Sequence, residues 1–404
     1  MSTSFIYHAF GLQGYEYVHR QFVGGSILFR IRPKAKLLRC CRCKSYRIIR
    51  RGMSERRLRT LPIGFKPVWL LVEIPRLQCL ACGCLRHIRL GIAASRRRYT
   101  RAFARFVLGL TKVMTLKDVS RLIGIGWDGV KDILKRHLAR RFACPPLAKS
   151  RYIAIDEISV KKGHKYLTLV MDLQSGAVIF VGDGKGAKAL APFWQELHRV
   201  RAKILAVATD MSVAYIGSVL EHLPGVPLVF DHFHVVKLMN EALTEVRRNL
   251  YHELRDVMGR KVLKGSRWIL LKNPENLCLE RDEAKHLQEA LRLNEPLATA
   301  YYMKEDLRQI WSQASKCEAE ASLSTWITQA LASGIGPLMR VGKTLATYKF
   351  GILNWYDHPI SSGPMEGTNN KIKVMKRMAY GYRDMEFFKL RILAIHEAKY
   401  ALTG

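Results

Sequence analysis

Two sets of side chains in this sequence are spaced for chemistry. The first is a pair of knuckles, Cys40-x-x-Cys43 and Cys79-x-x-Cys82. Two cysteines three residues apart both reach one tetrahedral ion, and two such pairs complete a shell of four thiolates, the set zinc takes in structural sites. Four thiolates leave no open position, so this chemistry holds a fold together and does not turn over substrate. Cys41 and Cys84 are extra thiols, either of which can replace a neighbour as ligand. Cys144, Cys278 and Cys317 stand alone and read as buried thiols. The competing reading of the knuckles is reduced thiols packed in a core.

The second set is acidic. Asp156 follows the apolar run Tyr152 to Ile155, and Asp210 ends the run Ile204 to Thr209. A carboxylate in an apolar strand is costly unless it is paired, so Asp156 calls for a cation partner. Strand ends of this kind line the ligand crevice of open α/β sheets. The third acid is Glu366, in Ser362-Gly363-Pro364-Met365-Glu366-Gly367-Thr368-Asn369-Asn370-Lys371. Pro364 suits a first helical turn, with Ser361 or Ser362 at the cap. At 3.6 residues per turn Glu366, Asn370, Lys373 and Arg377 share one face, and Met365, Ile372, Met375 and Ala379 the packing face. Three carboxylates on converging elements suit one or two Mg²⁺ or Mn²⁺ ions, and two such ions activate the attacking oxygen and stabilise the leaving one in phosphodiester displacement. Asp231 also ends a strand and precedes His234; the pair either tunes this site or caps the next helix, capping being the preferred reading. Glu157 alternates to the opposite strand face and is read as structural.

These residues need a scaffold, and its outline is legible. Tyr152 to Val160, Lys165 to Asp172 and Ala177 to Gly182 read as a meander turned at Lys162-Gly163-His164 and Gln174-Ser175-Gly176. Leu190 to Val200 reads as a helix, Ile204 to Thr209 as a buried strand, Val213 to Leu223 as a helix and Pro227 to Phe230 as another strand: a mixed α/β sheet. From Val235 to about Thr347 the pattern is almost wholly helical, and a closing helix runs from Glu386 to Ala401. Between the knuckles, strand-like residues from Val68 to Val72 fill part of the gap. A helical stretch from Ala102 to Arg141 precedes the break at Cys144-Pro145-Pro146. Within it, Thr115 to Ile123, the turn Gly124-Ile125-Gly126 and a second helix Trp127 to Leu138 have helix-turn-helix form, the second helix carrying Lys131, Lys135 and Arg136. Its competing reading is a helical linker with a solvated charged face.

Composition points the same way. The 404 residues hold 67 Lys and Arg against 33 acids, a formal charge of +34, with 49% hydrophobic residues. That is enough apolar matter for several cores, and a globular chain so basic is built to meet a polyanion. Arg96, Arg97 and Arg98 form a basic run just before the helices and join Lys131, Lys135, Arg136, Lys373 and Arg377 as candidate DNA contacts. There is no secretory leader and no apolar run of membrane-spanning length, so a cytoplasmic, nucleoid-associated protein is expected.

With the knuckles, Ile155-Asp156-Glu157-Ile158-Ser159, Thr209-Asp210-Met211-Ser212, Phe230-Asp231-His232-Phe233-His234-Val235-Val236-Lys237 and Glu366-Gly367-Thr368-Asn369-Asn370-Lys371-Ile372-Lys373 taken together, the chain resembles the bacterial insertion-sequence transposases of the ISL-three family over nearly its whole length. The one departure is Cys41, where the family has proline. The resemblance implies a multidomain chain: a zinc-binding domain over residues 1–94, a helix-turn-helix region over 95–145, a ribonuclease-H-like α/β core begun over 150–235, a helical insertion over 236–350, and the core's Glu-bearing and C-terminal helices over 351–404. It implies Asp156, Asp210 and Glu366 as the catalytic triad and metal ligands. The implied reaction is cleavage at inverted-repeat ends of double-stranded DNA, then joining of the freed 3′-OH to target DNA, by a homodimer or larger assembly. Two other classes fit part of the pattern: a non-catalytic zinc and helix-turn-helix regulator, which leaves the three acids unexplained, and a structure-specific nuclease of the same fold, which needs no end recognition.

Overall fold

The computed structural model describes residues 5–161 and 165–397. The chain falls into two compact units divided between Arg141 and Phe142.

The first unit opens with helix α1 (Phe5–Phe10) and the hairpin β1 (Tyr15–Val23), β2 (Ser26–Pro33). Gly24 and Gly25 turn it at φ 53° and 72°, the left-handed conformation that a two-residue hairpin demands. Two long strands follow, β3 (Ile48–Ile63) and β4 (Lys66–Cys79), paired antiparallel from Ile48↔Cys79 to Ile63↔Lys66. The sheet runs β1-β2-β4-β3, and β5 (Leu85–His87) adds to β4. Its core gathers Phe10, Ile31, Leu58, Leu70 and Val72. The gap between the knuckles is therefore one whole hairpin and not only the Val68–Val72 stretch. Strand β3 hides from pattern reading because nearly all of Ile48 to Glu55 is exposed, so no apolar alternation marks it.

The helical stretch expected from Ala102 to Arg141 is three helices, α2 (Arg101–Leu110), α3 (Leu116–Ile123) and α4 (Trp127–Phe142). Thr100 and Thr115 cap the first two through their hydroxyls, and Gly124 ends α3 at φ 65°. Phe103, Val107, Val119, Ile123, Val130 and Ile133 fill the space between them.

In the second unit β6 (Tyr152–Lys161), β7 (Lys165–Asp172) and β8 (Ala177–Asp183) are the expected meander; the Lys162-Gly163-His164 turn lies outside the described residues. Then come α5 (Ala187–Arg199), β9 (Ala206–Thr209), α6 (Val213–His222) and β10 (Leu228–Phe230). The order is β10-β9-β6-β7-β8, with β10, β9 and β6 parallel and β6, β7 and β8 antiparallel. This is the mixed α/β sheet that the sequence pattern called for, the core that the resemblance implied to be ribonuclease-H-like. Alternation sends Ile153 and Ile155 into a core with α5 and α6, and Ala154 and Ile158 into a second core on the other face.

After β10 the chain leaves the sheet through α7 (His232–Glu253), α8 (Val257–Gly265), α9 (Glu283–Arg292), α10 (Glu295–Arg308), α11 (Lys316–Ala332) and α12 (Gly336–Leu353). This excursion is less helical than its sequence suggested. Residues 266–282 hold only turns and short 3-10 segments. The buried ammonium of Lys304 on α10 anchors that stretch by donating to the carbonyls of Leu270 (2.9 Å) and Lys272 (3.0 Å). The chain returns on α13 (Gly363–Met378) and α14 (Met385–Leu393), which pack Met365, Ile372, Phe388 and Ile392 on the second sheet face. Ala379 is the exposed residue after α13 and does not belong to its packing face. Helix α14 ends well before Ala401, which lies outside the described residues. No helix among the described residues is long and apolar enough to cross a membrane.

Helix α12 closes the excursion against the edge strand from which it began. Phe230 of β10 meets Tyr348 edge-on (5.4 Å between ring centroids), and Asn354 donates to the Leu228 carbonyl (3.0 Å). The contact is possible because position 351 has no side chain: a Cβ on Gly351 would lie 2.3 Å from the Phe230 ring. Gly351→Ala is therefore expected to destabilise the second unit by about 1–3 kcal/mol, the usual range for overpacking. Thermal unfolding followed by calorimetry checks this, and an unchanged transition would show that Phe230 moves freely.

Candidate functional site

The four predicted ligands come together in the first unit. The Sγ atoms of Cys40, Cys43, Cys79 and Cys82 all lie within 4.8 Å of one another, with Cys40–Cys82 at 3.6 Å and Cys43–Cys79 at 3.5 Å. Zn–S bonds of about 2.3 Å imply tetrahedral edges of roughly 3.8 Å, so the set fits zinc. The two knuckles repeat one backbone design. Cys40 N–H donates to the Ser45 carbonyl and Lys44 N–H to the Cys40 carbonyl; Cys79 N–H donates to the Cys84 carbonyl and Gly83 N–H to the Cys79 carbonyl. Lys44 and Gly83 occupy equivalent left-handed positions, at φ 63° and 67°. Backbone N–H groups of Cys43 and Arg42 pull the Cys40 thiol down to about 6. At Cys79 burial works upward, yet the N–H groups of Cys82 and Ala81 bring the net shift down. At Cys43 the Ser45 N–H works downward, yet hydrogen bonds to Cys79 and Cys82 push the thiol the other way, to about 12, so the four thiols share their protons unevenly and a metal must displace those that remain. Of the isolated cysteines, Cys144 and Cys317 are exposed and Cys278 is half-buried, so the buried setting expected of them is not found.

One residue that sequence reading passed over ties this sheet to the helices. Arg59 of β3 is only 6% exposed. Its Nη2 donates to the Ile123 carbonyl at the end of α3 (3.1 Å), and its guanidinium lies 5.3 Å from the Trp69 ring centroid and 5.8 Å from that of Phe103. The carbonyl end of a helix is its negative pole, which suits a buried cation lacking a carboxylate. Its backbone also brackets the approach to α2: Arg59 N–H donates to the Arg98 carbonyl (2.8 Å), and Thr100 N–H to the Arg59 carbonyl (2.9 Å). Charge repetition in Arg56-Arg57-Leu58-Arg59 concealed which arginine turns inward.

The turn between α3 and α4 has helix-turn-helix form, with Ser120 Oγ donating to the Ile125 carbonyl (2.7 Å) across Gly124. The first turn of α4 exposes Trp127, Asp128 and Gly129, and the Lys131 ammonium stands 5.8 Å from the Trp127 ring centroid. Trp127 was missed because it reads as an apolar helix residue. Arg96 and Arg98 are exposed and Lys135 is half-buried. Arg97 and Arg136 both engage Asp132, so their charges are partly balanced within the unit.

The acids of the second unit gather at one end of its sheet. The parallel pairing of β6 with β9 reaches Ile155↔Thr209, and that of β10 with β9 reaches Phe230↔Thr209. Asp156, Asp210 and Asp231 each come one residue later: Asp156 within β6, Asp210 just past the end of β9 and Asp231 just past the end of β10. Burial pushes the Asp156 carboxyl up; the Glu157 N–H opposes this, the Asp210 charge adds to the rise, and Asn369 and His234 lower it. The cation partner expected for Asp156 is replaced by an amide: Asn369 Nδ2 donates to Asp156 Oδ2 at 2.7 Å. Asn369 lies on α13, one turn after the exposed Glu366. Sequence reading placed Asn370 on the face of Glu366, but the residue that reaches the strand is its buried neighbour. Lys373 and Arg377 are exposed farther along α13. Asp231 caps α7 by accepting from Phe233 N–H (3.1 Å) and takes the Ser362 hydroxyl (2.6 Å), so Ser362 is turned away from capping α13. Glu157 faces the other way and accepts from Tyr215 (3.2 Å). The three carboxylates do not close into a set as the thiolates do; among the described residues the cysteines are the group with such spacing. A hard divalent cation nevertheless suits this end of the sheet. It would offset the repulsion between Asp156 and Asp210, and the buried oxygen Asn369 Oδ1, on the amide that meets Asp156, has no hydrogen-bond partner.

Comparison with known proteins accounts for all three regions. Residues 153–392 match the DDE transposase model of ISL3, residues 88–138 the helix-turn-helix domain of transposase family ISL3, and residues 36–82 the zinc-finger of transposases IS204/IS1001/IS1096/IS1165. The chain is 36% identical over 374 residues to the transposase for insertion sequence element IS1001 of Bordetella parapertussis, covering 92% of each. The chain belongs to the ISL3 family of transposases. A second relative, the transposase for insertion sequence element IS1557 of Mycobacterium tuberculosis, is 31% identical over 89% of this chain and 86% of its own length. ISL3 chains are DDE transposases, enzymes that cleave DNA and transfer its strands, and this one has their zinc finger in the Cys40, Cys43, Cys79, Cys82 tetrad. The matched helix-turn-helix segment spans α2, α3 and most of α4, the helices that Arg59 binds to the zinc-finger sheet.

Cys79→Ser is expected to bring bound zinc to well below one ion per chain, measured by metal analysis; full zinc content would remove Cys79 from the ligand set. Arg59→Ala leaves the Ile123 carbonyl without its partner, a loss of about 1–3 kcal/mol. Amide exchange in α3 and α4 should then quicken by roughly tenfold to a hundredfold. Unchanged protection of those helices would mean that Arg59 does not hold them.

Proposed function

We propose that this transposase binds the inverted-repeat ends of its own insertion sequence, cleaves there, and joins the freed 3′-OH to target DNA, with Asp156, Asp210 and Glu366 as its catalytic carboxylates. The observation that carries this reading is the bond from Asn369 to Asp156. It brings the helix bearing Glu366 to the strand end where Asp156 and Asp210 stand side by side.

Asp156, Asp210 and Glu366 would hold Mg²⁺ or Mn²⁺, which suits the repulsion between Asp156 and Asp210. When bound, such ions supply an activated attacking oxygen and neutralise charge on the leaving one. The protein's own part is positional. Asn369 fixes the rotamer of Asp156, and Asp231 holds the start of α13 through Ser362, which sets where Glu366 begins its turn. His234, whose Nδ1 is buried without a partner, stands near Asp156; with Asp231 it serves as an accessory to the site. Lys373 and Arg377, two and three turns after Glu366, meet phosphates flanking the scissile bond. Arg96, Arg98, Lys131 and Lys135 are the end-binding contacts of the first unit, with Trp127 leading α4 into the groove, while Arg97 and Arg136 orient that surface through Asp132. Two DNA ends must be held at once, so the working form is a homodimer or larger. Its relatives come from bacteria, and its place of action is the bacterial cytoplasm beside the nucleoid.

The test is cleavage of an inverted-repeat oligonucleotide with Mg²⁺, comparing wild type with Glu366→Gln. Several kcal/mol of metal-borne stabilisation should vanish, so cleavage falls by about a thousandfold or more while end binding by anisotropy stays within about twofold. Equal cleavage by both proteins would exclude Glu366 as the third carboxylate.

A further inference from the structure

The zinc end of the first unit carries two thiols that the metal does not use. Cys41 follows the first ligand, Cys84 comes two residues after the last, and their Sγ atoms are 3.9 Å apart. Both are half-buried and neither belongs to the tetrad. Their meeting follows from the repeated knuckle backbone. The bond from Cys79 N–H to the Cys84 carbonyl folds Cys84 back beside its own knuckle, where Cys41 of the other knuckle faces it. By the same repeat Leu80 is the counterpart of Cys41 and Ser45 that of Cys84, so a thiol pair occupies only one of two equivalent sides of the metal. The pair lines an open recess of about 570 Å³ together with Arg42, Arg86, Arg89 and the metal ligand Cys82.

We propose that Cys41 and Cys84 are a modification site: they close to a reversible disulfide by exchange with an anionic low-molecular-weight disulfide, while the tetrad keeps its zinc. Three features select this pair. The tetrad sulfurs share their lone pairs with the metal, and these two do not. The recess admits a small reagent, and its three arginines draw in a carboxylate-bearing disulfide. The sulfurs need to approach by roughly 2 Å to reach bonding distance. In the first step one cysteine thiolate attacks a sulfur of the external disulfide, forming a mixed disulfide and expelling one thiolate. In the second, the other cysteine thiolate attacks the protein sulfur of that mixed disulfide, forming the Cys41–Cys84 bond and expelling the second thiolate. Two electrons pass from the cysteine pair to the external disulfide, and the two cysteine protons end on the released thiols. The product staples one knuckle to the other across the metal, so the two stay together when zinc is withdrawn.

The experiment uses the full zinc-loaded chain, incubated with oxidised glutathione, alkylated and mapped by peptide mass spectrometry alongside metal analysis. The expected result is a linked Cys41–Cys84 peptide, with alkylatable Cys41 reduced by about tenfold or more and zinc content unchanged. Mapping by peptide separates this from adducts on the exposed Cys144 and Cys317. Cys41→Ser should keep zinc, form no linked peptide, and carry glutathione on Cys84. Where that variant does not fold, Cys84→Ser supplies the mirror result, with glutathione on Cys41. Three outcomes overturn the proposal: stable glutathione adducts on Cys41 and Cys84 without a link in the wild type, a link that includes a tetrad cysteine with loss of zinc, or no reaction at either residue.

Discussion

A carboxylate on the packed face of a sheet has to be met by something, and in the second unit what meets Asp156 is the helix that carries Glu366. Alternation along β6 places Asp156 with Ala154 and Ile158, toward α13, and sends Glu157 to the face of α6. A cation there would satisfy the carboxylate but quench the charge that a metal needs. An amide does not: Asn369 spends one N–H on Asp156 and leaves its oxygen unpartnered. The placement of α13, the pin at its first residues and the apolar stripe of Met365 and Ile372 all follow from bringing that amide to the strand.

The first unit solves a related problem with the opposite charge. Its long hairpin is anchored at one end by zinc and delivers Arg59 into an interior where no acid waits. The cation is placed at the carbonyl pole of α3 and beside two aromatic rings, so its burial is met by dipoles. The charge remains inside the scaffold and leaves the outward basic groups to meet DNA. In both units a buried ionic group marks where two elements are joined, and a functional surface lies a turn or two away.

What the sequence made legible follows from periodicity and spacing. The knuckles declare themselves because a tetrahedral ion needs two ligands from one tight turn. Asp156 and Asp210 stand out because each interrupts an apolar strand. Glu366 is found through the proline and serines that start its helix. The rest was hidden for specific reasons. Strand β3 is charged on both sides over its first half, so nothing in its pattern says strand. Arg59 is one arginine among several, and only the tertiary fold decides which is buried. Asn369 and Asn370 are adjacent and alike, and a helix drawn as a wheel does not tell which one meets a strand more than two hundred residues earlier. Residues 266–282 break the helical run at Pro274, which opens a 3-10 turn, and Lys304 holds the carbonyls of Leu270 and Lys272 from outside the segment.

The bond between Asp231 and Ser362 joins residues 131 apart in sequence. The chain leaves the sheet at one of them and comes back at the other, so the excursion is closed at this bond and at the neighbouring contacts of Tyr348 and Asn354 with β10. The cost of closing a loop on such a point rises only with the logarithm of its length, about 0.6 kcal/mol for each doubling. A longer, shorter or differently built excursion would reach the same two residues with little change in that cost. The carboxylate end of the sheet is in this sense indifferent to the size of what is attached to it, and the helices between those two residues are free to lengthen or shorten.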